Sequence, residues 1–207
     1  MATKRPKSLR GQGGRLKLDL IEAAMRFLDR APASDLSLRM VASEAGVSPT
    51  SAYKHFANAG ALMAEVVREC WRQLGAQMVE GAAQAQGKDA LASLQQQMCA
   101  YARYAMERPS RYQLLFALEP MDFDAPIDLP GPVQPAYRSV CAAIAQAVDE
   151  GRGLPMPDVH FSALLTLSVA HGRIALAHTA PHRDANALPE IESFIITALE
   201  RLFPHVK

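Results

Sequence analysis

Between Ser37 and Phe56, hydroxyls, an amine and an imidazole recur at spacings that put several of them on one face of a short helix. The segment reads Ser37-Leu38-Arg39-Met40-Val41-Ala42-Ser43-Glu44-Ala45-Gly46-Val47-Ser48-Pro49-Thr50-Ser51-Ala52-Tyr53-Lys54-His55-Phe56. Ser37 has the type and place of a helix cap, its hydroxyl accepting from a backbone N–H in the first turn. Met40 and Val41 then face inward. Gly46 follows the end of that helix, where a left-handed residue reverses the chain without strain, and Val47 plugs the bend. Ser48 caps the next helix, and Pro49 takes its first position, where a missing N–H costs nothing. At about 100° per residue, Pro49, Ala52, Tyr53 and Phe56 fall on one side of this second helix, and Thr50, Ser51, Lys54 and His55 on the other. The first set suits packing. The second can reach base edges or phosphates in a major groove. Two short helices joined by a glycine turn make a helix-turn-helix. A plain helical hairpin shares the periodicity but does not require caps, glycine, inward valine and donor-rich face together.

These helices need neighbours to hold them. From Leu16 onward, Leu20, Ile21, Ala24, Phe27 and Leu28 recur at three and four residues, one apolar stripe that Pro32 closes. Beyond the motif, Leu62, Val66, Cys70, Leu74 and Met78 mark a long helix from about Asn58 into the low 80s. Another spans roughly 89–107 and stops before Pro109. Pro120, Pro126, Pro130 and Pro132 make 119–132 a loop, and helical patterns resume over 133–150, 157–179 and 188–203. No segment alternates with period two over a useful length. The predicted fold is all-α, an N-terminal three-helix helix-turn-helix bundle joined by a long helix to a larger C-terminal bundle. The expected division is a basic arm over 1–14, a DNA-binding domain over 15–58 and a larger helical domain over 59–207.

Charge supports that division. Residues 1–72 hold 12 Lys/Arg against 7 Asp/Glu, a net of +5, and the remainder holds 10 against 14, a net of −4. Lys4, Arg5, Lys7, Arg10, Arg15 and Lys17 meet no acid within the first 17 residues, so one end suits an anionic polymer. Such an arm adds affinity by releasing counterions, independently of sequence. Cys70, Cys99 and Cys141 are odd in number and widely spaced, which suggests reduced thiols in the cytoplasm. The longest apolar run, 163–170, is interrupted by Thr166 and Ser168 and falls short of the roughly 20 residues that cross a bilayer. No membrane partner is expected.

The segment resembles the TetR family of transcriptional regulators. Ser37, Ala42, Ala45, Gly46, Val47, Ser48, Tyr53, His55, Phe56 and Leu62 match its pattern, and Ile21-Glu22-Ala23-Ala24-x-x-x-Leu28 is similar to its first helix. The resemblance covers about 16–72. Ala59 stands where the family usually has a phosphate-contacting lysine, and Gly60 where an acid is common. Further on, Arg108-Pro109-x-x-Tyr112-x-Leu114-Leu115-Phe116 and Ala170-His171-Gly172 look like a branch carrying a Trp-His-Gly signature, with Ala170 replacing the tryptophan. The resemblance implies a homodimeric regulator, by family habit a repressor, that releases double-stranded operator DNA when a small apolar effector binds.

DNA contacts are therefore expected from Arg15, Ser37, Arg39, Ser48, Pro49, Thr50, Ser51, Tyr53, Lys54 and His55. Effector contacts are expected from Met78, Met98, Tyr101, Tyr104, Phe116, Met121, Phe123, Tyr137 and His171, because ligand sites favour apolar walls with a few polar tips. The dimer interface is expected at Leu165, Val169, Ile191, Ile195, Ala198, Leu199 and Leu202, on helices apolar over more than one face. His160, His171, His178 and His182 share a stripe, but the first pair lies roughly 16 Å apart along a helix and the second roughly 10 Å, too far for one ion. No cofactor and no metal site are expected. Enzymatic signatures such as His-Glu-x-x-His, Gly-x-Ser-x-Gly or a P-loop are missing, which weakens the alternative of an all-α enzyme or carrier acting on apolar molecules.

Overall fold

The computed structural model describes residues 12–85, 89–117, 131–179 and 187–206. They form helices α1 (Gln12–Leu28), α2 (Leu38–Glu44), α3 (Pro49–Tyr53), α4 (Ala59–Gln84), α5 (Ala90–Glu107), α6 (Pro109–Ala117), α7 (Gln134–Asp149), α8 (Val159–Thr179) and α9 (Ala187–Leu202). Short 3₁₀ turns lie at Ala33–Asp35 and Gly131–Val133. Among the described residues there is no strand, only an isolated antiparallel bridge between Arg152 and His205. The chain divides into two compact units between Val67 and Arg68, inside α4.

In the first unit, α1 starts at Gln12, ahead of the expected Leu16. Gly13 and Gly14 lie in its first turn, where backbone N–H groups have no intrahelical partner in any case. Leu20, Ala24, Phe27 and Leu28 are buried as the stripe requires, together with Leu38 and Val41 of α2, Ala52 of α3, and Leu62 and Val66 of α4. Ser37 Oγ accepts from Met40 N at 3.3 Å and Ser48 Oγ from Ser51 N at 3.3 Å, so both serines are caps. Gly46 sits at φ +68°, a backbone that a residue with Cβ adopts only under strain, and Val47 N returns to Ala42 O at 2.9 Å. Asn58 caps α4 by accepting from Ala61 N at 2.8 Å. Glu44 of α2 pairs with Arg26 and Arg30 of α1, and those guanidinium groups hold its carboxyl below the usual carboxylate range.

In the second unit α5 is the hub, packing against α7, α8 and α9. Ala90, Ala100, Ala102 and Ala105 are buried along it and allow close approach. Gly81 of α4 passes so near α5 that a Cβ there would lie 2.7 Å from Gln96 O and 3.0 Å from Ala100 Cβ. Asp89 caps α5 through Ala92 N at 2.8 Å, and Glu150 accepts from Ala90 N at 2.9 Å, tying the end of α7 to the start of α5. The chain end is pinned in the same way. Val206 N donates to Gly151 O at 2.9 Å and Gly153 N to Pro204 O at 2.8 Å, with Gly151 at φ +87°.

α5 ends at Glu107, before Pro109 as the sequence pattern indicates, and a further helix that the pattern does not mark, α6, begins at Pro109, because proline is tolerated at a first helical position. The dimer assignment needs correction at Ile191, Ile195 and Leu199, which are buried 0–1% exposed in the subunit's own core. One stripe at four-residue spacing suffices to face α5, so these side chains are not available to a second chain. Leu165, Val169, Ala198 and Leu202 remain half-buried. By length and composition α8 could cross a membrane, a property the uninterrupted-run criterion did not detect, but one side of it packs against α5, α7 and α9.

The Gly81 crossing gives a sharp test. Gly81→Ala gains about 1 kcal/mol of helix propensity, but its Cβ meets a backbone oxygen that cannot rotate away. Overpacking of this kind costs about 1–3 kcal/mol. We expect a net loss of stability, read as a lower midpoint in thermal or urea unfolding, where a freely accessible helix glycine would give a gain.

Candidate nucleic-acid interface and ligand site

The donor face of the helix-turn-helix is built from three backbone devices. The Ser48 cap starts α3, Pro49 fixes its first φ, and burial of Ala52 and Phe56 sets its rotation. With those two residues facing the core, Thr50, Tyr53 and Lys54 share the outward face, at i, i+3 and i+4. Tyr53 is 56% exposed, so its assignment to the packing side is corrected. α3 ends at Tyr53 with Lys54 as its C-cap, and the chain turns Phe56 inward beyond the helix end. Met40 also points outward, exposed beside Arg39, rather than into the core. Pro49 is exposed, whereas Ser51 and His55 are half-buried at the edge of the face.

The other expected DNA contacts divide by chemistry. Ser37 and Ser48 each commit one oxygen lone pair to a cap, and Ser48 also bonds Ser51 Oγ at 2.9 Å. Arg15 is exposed in the first turn of α1. Lys17, which has no acid near it in sequence, is paired with Glu65 of α4 at 2.7 Å and lies 5.8 Å from the Phe56 ring centre. Lys4, Arg5, Lys7 and Arg10 lie outside the described residues.

In the second unit an aromatic cluster gathers side chains from four helices. Tyr101 of α5 and Tyr112 of α6 each place a hydroxyl 2.9 Å from Nδ1 of His171 on α8. His178, two turns along α8, stacks on Tyr112 with ring centres 5.0 Å apart. Phe116 lies 4.5 Å from the His171 ring centre and 5.5 Å from that of Trp71 on α4. Burial pushes the Tyr101 hydroxyl well above its ordinary value and that of Tyr112 up to about 12. Burial also lowers the pKa of His171, favouring the neutral imidazole. At these separations the rings touch one another. Phe116, 40% exposed, is the outermost member.

Of the expected effector residues, the structure brings together Tyr101, Phe116 and His171. Tyr104 instead donates to Cys70 O at 3.3 Å and stacks under Arg108. Tyr137 pairs with His160 and lies at the α7–α8 contact. Met78 and Met98 are fully packed core residues. Met121 and Phe123 lie outside the described residues. Sequence reasoning missed Trp71, Tyr112 and His178 as members. Tyr112 sat inside the Arg108–Phe116 motif, but its inward direction depended on α6, which the pattern did not reveal. Among the described residues no three His, Cys, Asp or Glu side chains gather as a metal site. Burial raises the Cys99 thiol to about 11, which favours the protonated thiol over the thiolate.

Two family models match this chain, that of bacterial regulatory proteins of the tetR family over residues 20–66 and that of the tetracyclin repressor-like C-terminal domain over 94–199. The chain belongs to the TetR family. No curated protein sequence matches it. Among solved structures it is similar to a protein of unknown function from Rhodococcus sp. RHA1 (21% identity, 96% of this chain and 97% of that one, TM-score 0.69). It is also similar to a putative TetR-family transcriptional regulator from Mesorhizobium loti (18%, 96% and 100%, TM-score 0.68) and to RolR in complex with resorcinol (12%, 94% and 90%, TM-score 0.62). The protein is a ligand-responsive, DNA-binding transcriptional regulator rather than an enzyme. Regulators of this family bind operator DNA and small-molecule ligands as dimers.

Replacing Lys54 and Thr50 together with alanine should weaken DNA binding by at least tenfold without lowering the thermal midpoint, since both are exposed. Phe56→Ala should lower the midpoint, by about 3–5 kcal/mol in stability. Unchanged affinity in the double variant would remove the outward face of α3 from the interface. His171 gives a pH test. Its native pKa lies below the ordinary 6.5, so the unfolded chain takes up that proton first on acidification. The stability contributed by the neutral ring is therefore complete above pH 6.5 and falls away as pH drops toward the native value. His171→Asn should flatten the dependence of midpoint on pH below 6.5.

Proposed function

We propose that this chain is a cytoplasmic, homodimeric repressor. It grips double-stranded operator DNA through Arg39, Thr50, Tyr53, Lys54 and His55 and releases it when a small aromatic effector enters the Tyr101–Tyr112–Phe116–His171 cluster. The observation that carries this reading is the outward face of α3, on which exposed Thr50, Tyr53 and Lys54 are held in place by the Ser48 cap, Pro49 and the left-handed Gly46 turn. Exposed Arg15 supplies a backbone contact that positions the domain but carries no sequence information. The half-buried edge residue Ser51 and the caps Ser37 and Ser48 act by shaping the motif.

A single helix-turn-helix makes few base contacts, so selectivity calls for two half-sites about 34–36 Å apart and a two-fold dimer. α8 and α9 supply surface for it. Opposite its buried stripe of Ala163, Thr166, Ala170 and Ile174, α8 exposes Phe161 and Leu176, the latter 68% exposed, with Leu165 half-buried between them. Phe194 of α9 is exposed on the flank of the buried Ile191–Ile195 stripe. A helix apolar on both sides is what burial against its own bundle and against a second copy demands. RolR is bound to resorcinol, and a ring of that size suits the aromatic walls gathered here. An effector acts by binding one of two conformations of the dimer more tightly than the other.

The experiment is a fluorescence-anisotropy titration of the DNA upstream of the chain's own coding sequence, combined with sedimentation at micromolar concentration. We expect a dimer that binds this DNA with a strong salt dependence. Leu176→Glu with Phe194→Glu should give a folded monomer that no longer binds, whereas Ile195→Asp should unfold the subunit. A native monomer, or a dimer indifferent to any upstream sequence, would refute the proposal.

A further inference from the structure

The polar groups inside the second unit are unevenly satisfied. Gln97 of α5 is 0% exposed, and neither its Oε1 nor its Nε2 has a hydrogen-bond partner among the described residues. An unpaired buried amide costs about 1–3 kcal/mol, and a leucine of similar size would avoid that cost. Gln97 lies one turn before Tyr101, on the same face of α5 as the tyrosine that enters the aromatic cluster. There, two phenol hydroxyls crowd a single imidazole nitrogen at 2.9 Å each. One ring nitrogen accepts from only one of them: Tyr112 can donate to it while Tyr101 donates to the Tyr112 oxygen, which leaves the hydroxyl oxygens with lone pairs able to accept.

The charges nearby are already spoken for. Arg111, next to Tyr112 in sequence, donates to Gln73 Oε1 at 3.1 Å and lies in the field of Glu69 on α4. Desolvation favours a neutral His171. With Arg111 engaged by Gln73 and Glu69, burying an unpaired carboxylate at the cluster would be costly. The walls are flat rings that favour offset or edge contacts with another ring.

We infer that Gln97, together with the Tyr101–Tyr112–His171 trio, forms the polar end of the effector site, and that the effector is an uncharged aromatic molecule whose hydroxyl or carboxamide group both donates and accepts hydrogen bonds. The inference rests on the effector reading proposed above and narrows it to a ligand class. Such a group accepts from Gln97 Nε2, donates to Oε1 or to a tyrosine oxygen, and lays its ring among Tyr112, Phe116 and His171. Entry requires the exposed Phe116 ring to move, since the rings of the cluster are already in contact.

The test is isothermal titration and thermal shift on the full chain with phenol, benzamide and 4-hydroxybenzamide, against benzoate and 4-hydroxybenzoate as anions of the same shape. We expect the neutral compounds to bind at least tenfold tighter than their anionic counterparts. Gln97→Leu should weaken that binding about tenfold while leaving the melting temperature of the unliganded protein unchanged or higher. A lower melting temperature would mark Gln97 as a purely structural residue and overturn the inference. Tyr101→Phe provides a second variant, with the same loss of affinity expected for the neutral probes. Equal or tighter binding of the anions, unchanged binding in both variants, or no binding of any neutral probe would also overturn it. Operator binding is measured separately on the unmodified protein. Binding to DNA without any response to the neutral probes sinks this inference alone, and binding to the probes without DNA sinks the repressor reading.

Discussion

Enclosure of α5 sets the terms for the second unit. A helix that packs on α7, α8 and α9, and meets α4 at Gly81, has little surface left for water. Its small residues make this possible, because Ala100, Ala102 and Ala105 let backbones approach without leaving voids. Enclosure also means that each polar side chain on α5 must find a partner inside the bundle or carry an uncompensated desolvation cost. Tyr104 reaches Cys70 O, and Tyr101 reaches His171. Arg103 turns outward to Glu192 at 2.6 Å, and Gln95 donates to Ile196 O at 3.3 Å, both on α9. Gln97 is the one whose amide meets none among the described residues, and it lies one turn before Tyr101 on the same face of the helix.

The first unit solves a different problem. It must hold a five-residue helix, too short to be stable alone, so that its outer face stays presentable. Local chemistry does much of this. Ser48 and Pro49 start the helix, Gly46 sets the approach, and Ala52 and Phe56 anchor it. The remaining side chains are then free of structural duty, and Thr50, Tyr53 and Lys54 are left to meet solvent or a ligand. Lys17 is the counterexample, a cation that looks available in the sequence but is engaged by Glu65.

α8 shows how one helix can serve two surfaces. Its buried stripe faces its own bundle, its opposite side exposes Phe161 and Leu176, and His171 and His178 lie between these faces, beside α6. A hydrophobic stretch so evenly apolar gives no periodic signal to separate the faces, and sequence alone could not say which residues turn inward.

The sequence by itself determined what depends on neighbours within about four residues. The caps at Ser37 and Ser48, the left-handed Gly46, the buried spacing in α1 and α4, and the all-α class were legible because these are local preferences of backbone and side chain. Family membership was legible for the same reason, since its pattern lies in that local grammar. Only the tertiary structure decided which side of α9 faces inward, that Tyr53 is exposed, and that Tyr112, Phe116 and His178 join Tyr101 and His171. These depend on how helices distant in sequence are rotated against one another. That rotation is set by packing volume at crossings such as Gly81 against Gln96, which no periodicity records.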